Sequence, residues 1–366
     1  MTYDLIVIGA GPAGCLTAID AARNGASVLL LERGRFPRHK VCGEFVSAES
    51  LHLLGQLLAP EYRTLISNAP RIAQARIFSD GAEIPAEIDP AAASIARHDL
   101  DFALWRSALQ AGVDAREQCK VQSVERTAQG FKVSTATESF QGRSLVNATG
   151  RWSFLTSAPI RTRSARHRWV GLKAHFREPD APGSVDLYFF PGGYCGVQPV
   201  TAPQNGSGAI INACAMVRAD VATNLSQVFA AHPALHARSS AWEPAMPQVS
   251  TSPLVFHEPE PVQDGMLQAG DSATFVDPFI GDGISLALQS GNLAARCLRP
   301  FFQDECSLQQ ASANYARLYR QQLAPVFRAS SKLRNFMKLP AFVRRPVMSL
   351  LERTPAITRS LVRMTR

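Results

Sequence analysis

The sequence predicts an α/β fold in which a nucleotide-binding domain is split along the chain around an inserted antiparallel β-sheet, with a helical tail at the C-terminus. Three observations predict it. The first 32 residues read as strand, glycine turn, helix and second strand. Strand-like runs broken by Pro-Gly and Asn-Gly turns fill residues 169 to 217. The grammar of strand, glycine-rich loop and long helix then returns at 266 to 298. With 366 residues and 46% apolar content, the chain is long enough to bury a large core.

In chain order, DLIVIGAGPAGCLTAIDAARNGASVLLLER is a complete βαβ unit, with Gly25 as the helix terminator. Residues 44 to 60 read as helical, and residues 75 to 89 alternate around Asp80-Gly81 as a hairpin does. A helix is expected over Leu100 to Gln110, short strands over Val121 to Val133 around Gln129-Gly130, and a buried parallel strand over residues 144 to 150. The expected division is 1–74, 95–160 and 262–300 for the nucleotide-binding domain and 75–94 with 161–261 for the substrate domain. Residues 301–366 form a basic helical region.

Gly9, Gly11 and Gly14 make G-x-G-x-x-G at the end of an apolar strand. The first glycine permits the turn, the second lets a pyrophosphate approach the backbone, and the third lets helix meet strand. The helix N-terminus adds amide donors and a favourable dipole. Glu32 closes the second strand, where a carboxylate accepts hydrogen bonds from ribose hydroxyls and disfavours a 2′-phosphate. The unit is therefore Rossmann-like, and this motif alone does not separate FAD from NAD.

Later segments do. Ala269-Gly270-Asp271, followed by Asp277-Pro278-Phe279-Ile280-Gly281-Asp282-Gly283-Ile284, resembles the second FAD motif of the FAD-dependent monooxygenase and geranylgeranyl reductase superfamily, to which flavin halogenases are related. Arg97-His98-Asp99-Leu100-Asp101-Phe102-Ala103-Leu104 resembles its R-x-x-L-D-x-x-L helix entry. The resemblance covers about residues 3 to 300. It implies a Rossmann-like FAD domain, an inserted sheet covering the flavin ring, and FAD contacts from Gly9, Gly11, Pro12, Ala13, Gly14, Glu32, Arg33, Cys42, Gly43, Arg97, Val121, Asp271, Pro278, Gly281, Asp282, Gly283 and Ile284. Asp271 would bond the ribityl and pyrophosphate region, and Arg97 would reach the flavin and its phosphate linker. The loop from Pro278 to Gly283 would aim a helix N-terminus at the flavin pyrimidine, where amide donors stabilise the charge of the reduced ring.

Phe36-Pro37-Arg38-His39-Lys40-Val41-Cys42-Gly43-Glu44 resembles the reductase branch, whose Cys-Gly pair lies by the isoalloxazine. Cys42 is thus a candidate catalytic residue if Lys40 or Arg38 stabilises its thiolate; otherwise it is a small buried filler. Tyr194 and Pro199 match the reductases' Y-x-W-x-F-P strand, but Gly196 replaces the tryptophan, and the paired tryptophans of halogenases are missing too. Phe189 and Phe190 join them as candidate pocket residues. Thr149 replaces the aspartate that many hydroxylases carry in Ala-Asp-Gly, and a second G-x-G-x-x-G is lacking, so NADPH or NADH is expected as a transient donor. The expected activity is a monooxygenase working through a flavin C4a-hydroperoxide on a small apolar or aromatic substrate. Reduction of prenyl or enoyl double bonds is the alternative, ahead of halogenation or a non-catalytic flavoprotein.

The net charge of +8 is local: Arg317 to Arg366 hold twelve Lys and Arg against one acid, Glu352. That tail interleaves apolar residues and prolines (Pro340, Pro346, Pro355), as short amphipathic helices would. It either packs on the domain or docks to an anionic membrane surface or an acidic acyl carrier protein. No nucleic-acid reading module is visible. Seven scattered cysteines without zinc spacing exclude a sequence-evident metal site and suit a reducing compartment. The expected location is cytoplasmic, with peripheral membrane contact open.

Overall fold

The computed structural model describes the chain apart from residues 1, 152–154, 156–167, 202–207, 255, 257, 276–280, 338, 340, 341 and 347–366. Strand β1 (Thr2–Ile8), helix α1 (Pro12–Arg23) and β2 (Val28–Leu31) form the opening βαβ unit, with β1 and β2 parallel. Gly25 follows the end of α1 with φ +90°, a conformation that glycine adopts without a Cβ penalty. The segment expected as helical from 44 to 60 is shorter: β3 (Phe45–Val46) precedes α2 (Ala48–Leu57), because the Ser47 side chain accepts from Ser50 N and starts the helix there. After the short α3 (Thr64–Ser67) comes the expected hairpin, β4 (Arg71–Ser79) and β5 (Ala82–Ser94), turning through Asp80 and Gly81, both at positive φ.

Helix α4 (Arg97–Gln110), β6 (Asp114–Arg116), the hairpin β7 (Ser123–Thr127) and β8 (Gly130–Ser134), and β9 (Ser139–Asn147) complete the first half. Then come β10 (Trp169–Glu178), β11 (Ser184–Phe190), β12 (Gly193–Pro199) and β13 (Ala209–Arg218). Helices α5 (Leu225–Ala230) and α6 (Pro233–Ser239) and strands β14 (Glu243–Pro244), β15 (Val249–Thr251), β16 (Val262–Gln263) and β17 (Met266–Gln268) follow. Helices α7 (Gly283–Phe302), α8 (Leu308–Gln322) and α9 (Ala324–Met337) come last.

Two sheets result. The first runs β16-β17-β9-β1-β2-β6, with the β7–β8 hairpin attached through β8, and its central pairs are parallel. Val7 and Leu30 point to one face, into a core with Leu16, Ile19, Leu100, Leu104, Leu288 and Leu298 from α1, α4 and α7. The second runs β14-β10-β13-β12-β11-β4-β5-β3, with β15 on β10. It was expected to be antiparallel, and it is so except where β11 lies parallel to β4. That pair joins segments far apart in sequence, so no local turn imposes antiparallel register. One face of this sheet packs under α5 and α6 through Leu172, Ala174, Cys195, Val197, Leu225, Val228 and Leu235. The other face turns toward the first sheet and carries the site.

Candidate cofactor and substrate site

The glycine turn separates into two kinds of position. A Cβ on Gly9 would lie 2.3 Å from Ala148 O, and one on Gly14 1.9 Å from Gly9 O, so these glycines let β1, β9 and α1 close up. A Cβ on Gly11 would meet nothing nearer than Arg97 Nη2, at 3.9 Å. Gly11 is therefore the open side. It is also the N-cap of α1, with no side chain capping the helix and Pro12 in the first turn, so the first-turn amides are left to an anion. Pro12 and Ala13 are buried, so only backbone is left to them for a cofactor, and Pro12 has no N–H to donate.

Glu32, directly after β2, is almost fully buried. Its Oε2 accepts from Ala10 N and Arg38 Nη2, both at 3.0 Å, and its Oε1 accepts from Gly34 N at 2.8 Å. The carboxylate is thus fixed at the mouth of the turn, where the ribose of a dinucleotide falls. Arg33 beside it is exposed, and Val121 is half-buried against the apolar cluster of Ile6, Leu29, Leu31 and Phe131.

Arg97 starts α4 and forms a two-pronged pair with Asp101, at 2.6 and 2.8 Å. Burial disfavours its charge, but Asp101 and the neighbouring Cys42 sulfur raise its pKa overall. The Arg97 guanidinium thus lies against the Cys42 sulfur, a cation that the sequence reading did not pair with it. Cys42 Sγ also accepts from Glu44 N at 3.3 Å, while Asn212 Nδ2 donates to the carbonyls of Cys42 (3.0 Å) and Gly43 (2.9 Å). A Cβ on Gly43 would meet nothing within 4 Å, so this turn has an open side as Gly11 does.

In the second motif, Asp271 lies in a turn after β17, 3.6 Å from Arg151 Nε. Gly281 (φ +81°) packs on Phe45, Asp282 is the buried N-cap residue of α7, and Gly283 opens the helix with free space around it. Ile284 points into the core, which leaves only its backbone for a cofactor. Pro278 lies outside the described residues. A cleft of about 490 Å3 beside the first turns of α7 is lined by Ser47, Glu49, Asp89, Asp282, Ser285 and Gln289.

The candidate substrate wall is apolar. Tyr194, Met216, Leu254 and Phe275 cluster with Phe189, Trp169 and Phe256, and the Phe189 and Tyr194 rings lie 5.6 Å apart. Two expected members are corrected. Side chains alternate across β12 and β11, so Pro199 follows Cys195 and Val197 to the opposite face, and Phe190 packs in the core under α5 and α6.

Glu44, Lys173, His175, Asp101 and Asn212 were not singled out from sequence. Glu44 is fully buried at φ +63° and meets Lys173 Nζ, His175 Nε2 at 2.8 Å and Arg97 N at 2.7 Å. Burial pushes its carboxyl up, but His175 and Lys173 hold it below the ordinary range. Only Asp101 left a sequence signal, its i+4 spacing from Arg97.

The open Gly11, the uncapped start of α1, the fixed Glu32 and the uncrowded Gly283 fit a dinucleotide whose pyrophosphate sits on α1. Among known proteins, the model of the pyridine nucleotide-disulphide oxidoreductase family matches residues 3–198. A digeranylgeranylglycerophospholipid reductase of Methanopyrus kandleri is 26% identical over 337 residues, 87% of this chain and 82% of the relative. A 1H-pyrrole-2-carbonyl-[peptidyl-carrier protein] brominase of Pseudoalteromonas luteoviolacea is 24% identical over 319 residues, 81% of this chain and 77% of its own. A geranylgeranyl bacteriochlorophyll reductase-like structure from Thermoplasma acidophilum shares the fold with a TM-score of 0.77 at 20% identity, covering 98% of this chain and 91% of that one.

Proposed function

The chain belongs to the pyridine nucleotide-disulphide oxidoreductase family, and from that premise we propose that this FAD-dependent oxidoreductase is a monooxygenase of an apolar or aromatic metabolite, supplied with electrons transiently by NADPH or NADH. The observation that carries the reading is the wall of Tyr194, Phe189, Met216, Leu254 and Phe275 on the sheet face turned to the cofactor domain. Such a wall binds a planar apolar molecule by burial and keeps water from the reacting centre.

FAD supplies the redox and oxygen chemistry when bound; the chain's own residues place it. Backbone amides of α1 and the Arg97 guanidinium would hold its pyrophosphate, and Glu32 would hold its adenosine ribose. The start of α7 would offer amide donors to the ring, stabilising the negative charge that reduction places there. Glu44 N and the Arg97 guanidinium both lie against the Cys42 sulfur, a setting that would stabilise a thiolate there.

A second reading, reduction of a carbon–carbon double bond, is favoured by the placement of the Cys42-Gly43 turn beside Arg97 and by the reductase named among the relatives. One experiment separates the two. Anaerobically reduced holoenzyme is mixed with a panel of planar phenols and isoprenoids, with and without labelled dioxygen. Monooxygenation gives a product carrying one labelled oxygen; a product that gains two hydrogens without oxygen would replace it by the reductase reading.

A further inference from the structure

We propose that Glu44, Lys173 and His175 form a buried charge coupling between the substrate sheet and the FAD-binding turns, which makes Lys173 a positioning residue for the cofactor although it lies on the other sheet. The inference rests on the FAD reading of the site and is independent of the reaction type.

Three features carry it. The first is that the unit is energetically expensive. Lys173 and Glu44 are both fully buried, His175 nearly so, and Glu44 holds a left-handed backbone conformation that a non-glycine residue rarely adopts. Buried ion pairs are commonly no more stabilising than apolar residues of the same volume, so their gain here lies in position.

The second feature is what Glu44 touches. Its side chain accepts from Arg97 N at the start of α4, and the Arg97 guanidinium is the group nearest Gly11, where the pyrophosphate belongs. Its own N–H donates to Cys42 Sγ, and its carbonyl accepts from Ile95 N at 2.9 Å. The next residue, Phe45, packs against Gly281, where an added Cβ would come within 3.1 Å of the ring. Glu44 therefore reaches the turn at Cys42-Gly43, the Arg97 backbone that starts α4 and the turn before α7 within one residue of chain.

The third is what sits on the other side. Lys173 and His175 alternate on β10 with Leu172, Ala174 and Phe176, so the charged pair faces the cofactor turns while the apolar residues face the core under α5 and α6. Asn212, on the neighbouring β13, adds a second tie by donating to the carbonyls of Cys42 and Gly43. A shift of the substrate sheet would be felt at Arg97 and Cys42 through these contacts.

The test is a double-mutant cycle on FAD affinity, read by quenching of flavin fluorescence as FAD is added to apoprotein, with the apoprotein melting temperature measured alongside. Lys173→Met leaves the Glu44 carboxylate short of a buried cation and is expected to weaken FAD binding at least about tenfold. Glu44→Gln should weaken it comparably. The pair Lys173→Met with Glu44→Gln leaves neither charge alone, and should bind FAD more tightly than either single variant. Additive losses, or FAD affinities that merely track the melting temperatures, would overturn the coupling. If Lys173→Met does not fold, the comparison is the pair against Glu44→Gln: tighter binding by the pair supports the coupling, and equal or weaker binding overturns it. Wild-type protein that takes no FAD would overturn the cofactor reading itself. A wild type that binds FAD beside a Lys173→Met variant that binds it equally well would overturn the coupling alone.

Discussion

At the scale of single residues, the site divides into a part that announces itself and a part that does not. Gly9, Gly11, Gly14 and Glu32 are legible because local backbone geometry demands those types at that spacing. Lys173 and His175 are not, because alternation in a strand reads a polar face as solvent, and only the tertiary fold brings Glu44 against it. Cys42 was visible, but its Arg97 neighbour comes from a helix 55 positions on. Glu32→Gln keeps an acceptor for only one of Ala10 N and Gly34 N, sets an amide NH2 against the other, and loses the charge that faces Arg38 and the ribose. It is expected to weaken FAD binding by about 1–3 kcal/mol, measurable by titration calorimetry, and an unchanged affinity would refute the ribose role. Lys40 is pushed down to about 8, by burial first and then by Arg38 and Arg97. An amine whose folded pKa is depressed costs stability while it is charged in both states. That cost is full below about 8 and fades as pH rises toward the ordinary 10.5. Lys40→Met should therefore raise the melting temperature of the apoprotein near neutral pH and raise it less at about pH 9.5; an equal gain at both would contradict the assignment.

At the scale of elements, turn chemistry and periodicity located the βαβ unit, the hairpins, the longer strands of residues 169 to 217 and α7, because those signals are local, but not the short strands β3, β14, β15 and β16. The parallel pairing of β11 with β4 was not legible, since it depends on two segments meeting from distant parts of the chain. The packing of α7 on α1 was hidden too, and it depends on Gly291. A Cβ there would lie 2.4 Å from Ala13 O, a backbone atom that cannot step aside without moving the helix whose N-terminus carries the pyrophosphate site. Gly291→Ala is expected to cost about 1–3 kcal/mol or more and to lower both the melting temperature and FAD occupancy. A variant that melts and binds like wild type would show that the two helices can separate freely.

At the scale of the molecule, two sheets face each other across the Cys42 to Glu44 turn, one presenting glycine turns and helix N-termini and the other an aromatic wall. No described helix is long and apolar enough to cross a membrane. Of the large apolar residues exposed among the described residues, Leu339, Phe342 (77% exposed) and Val343 neighbour one another in sequence, beside the exposed Arg345 and an Arg344 that pairs with Asp80. Exposed apolar side chains next to a cation suit an anionic lipid surface. Co-sedimentation with phosphatidylglycerol vesicles, weaker on phosphatidylcholine and reduced by salt or by Phe342→Ser, is the expected result; no sedimentation on either lipid would leave the tail as domain packing. All of this stands on the cofactor, and the most direct measurement is the identity of the flavin released when purified protein is denatured. The cradle of Gly11, Arg97 and Glu32 calls for a yellow protein that releases FAD in a one-to-one ratio. A colourless protein that refuses added FAD, or one that releases FMN, would contradict it.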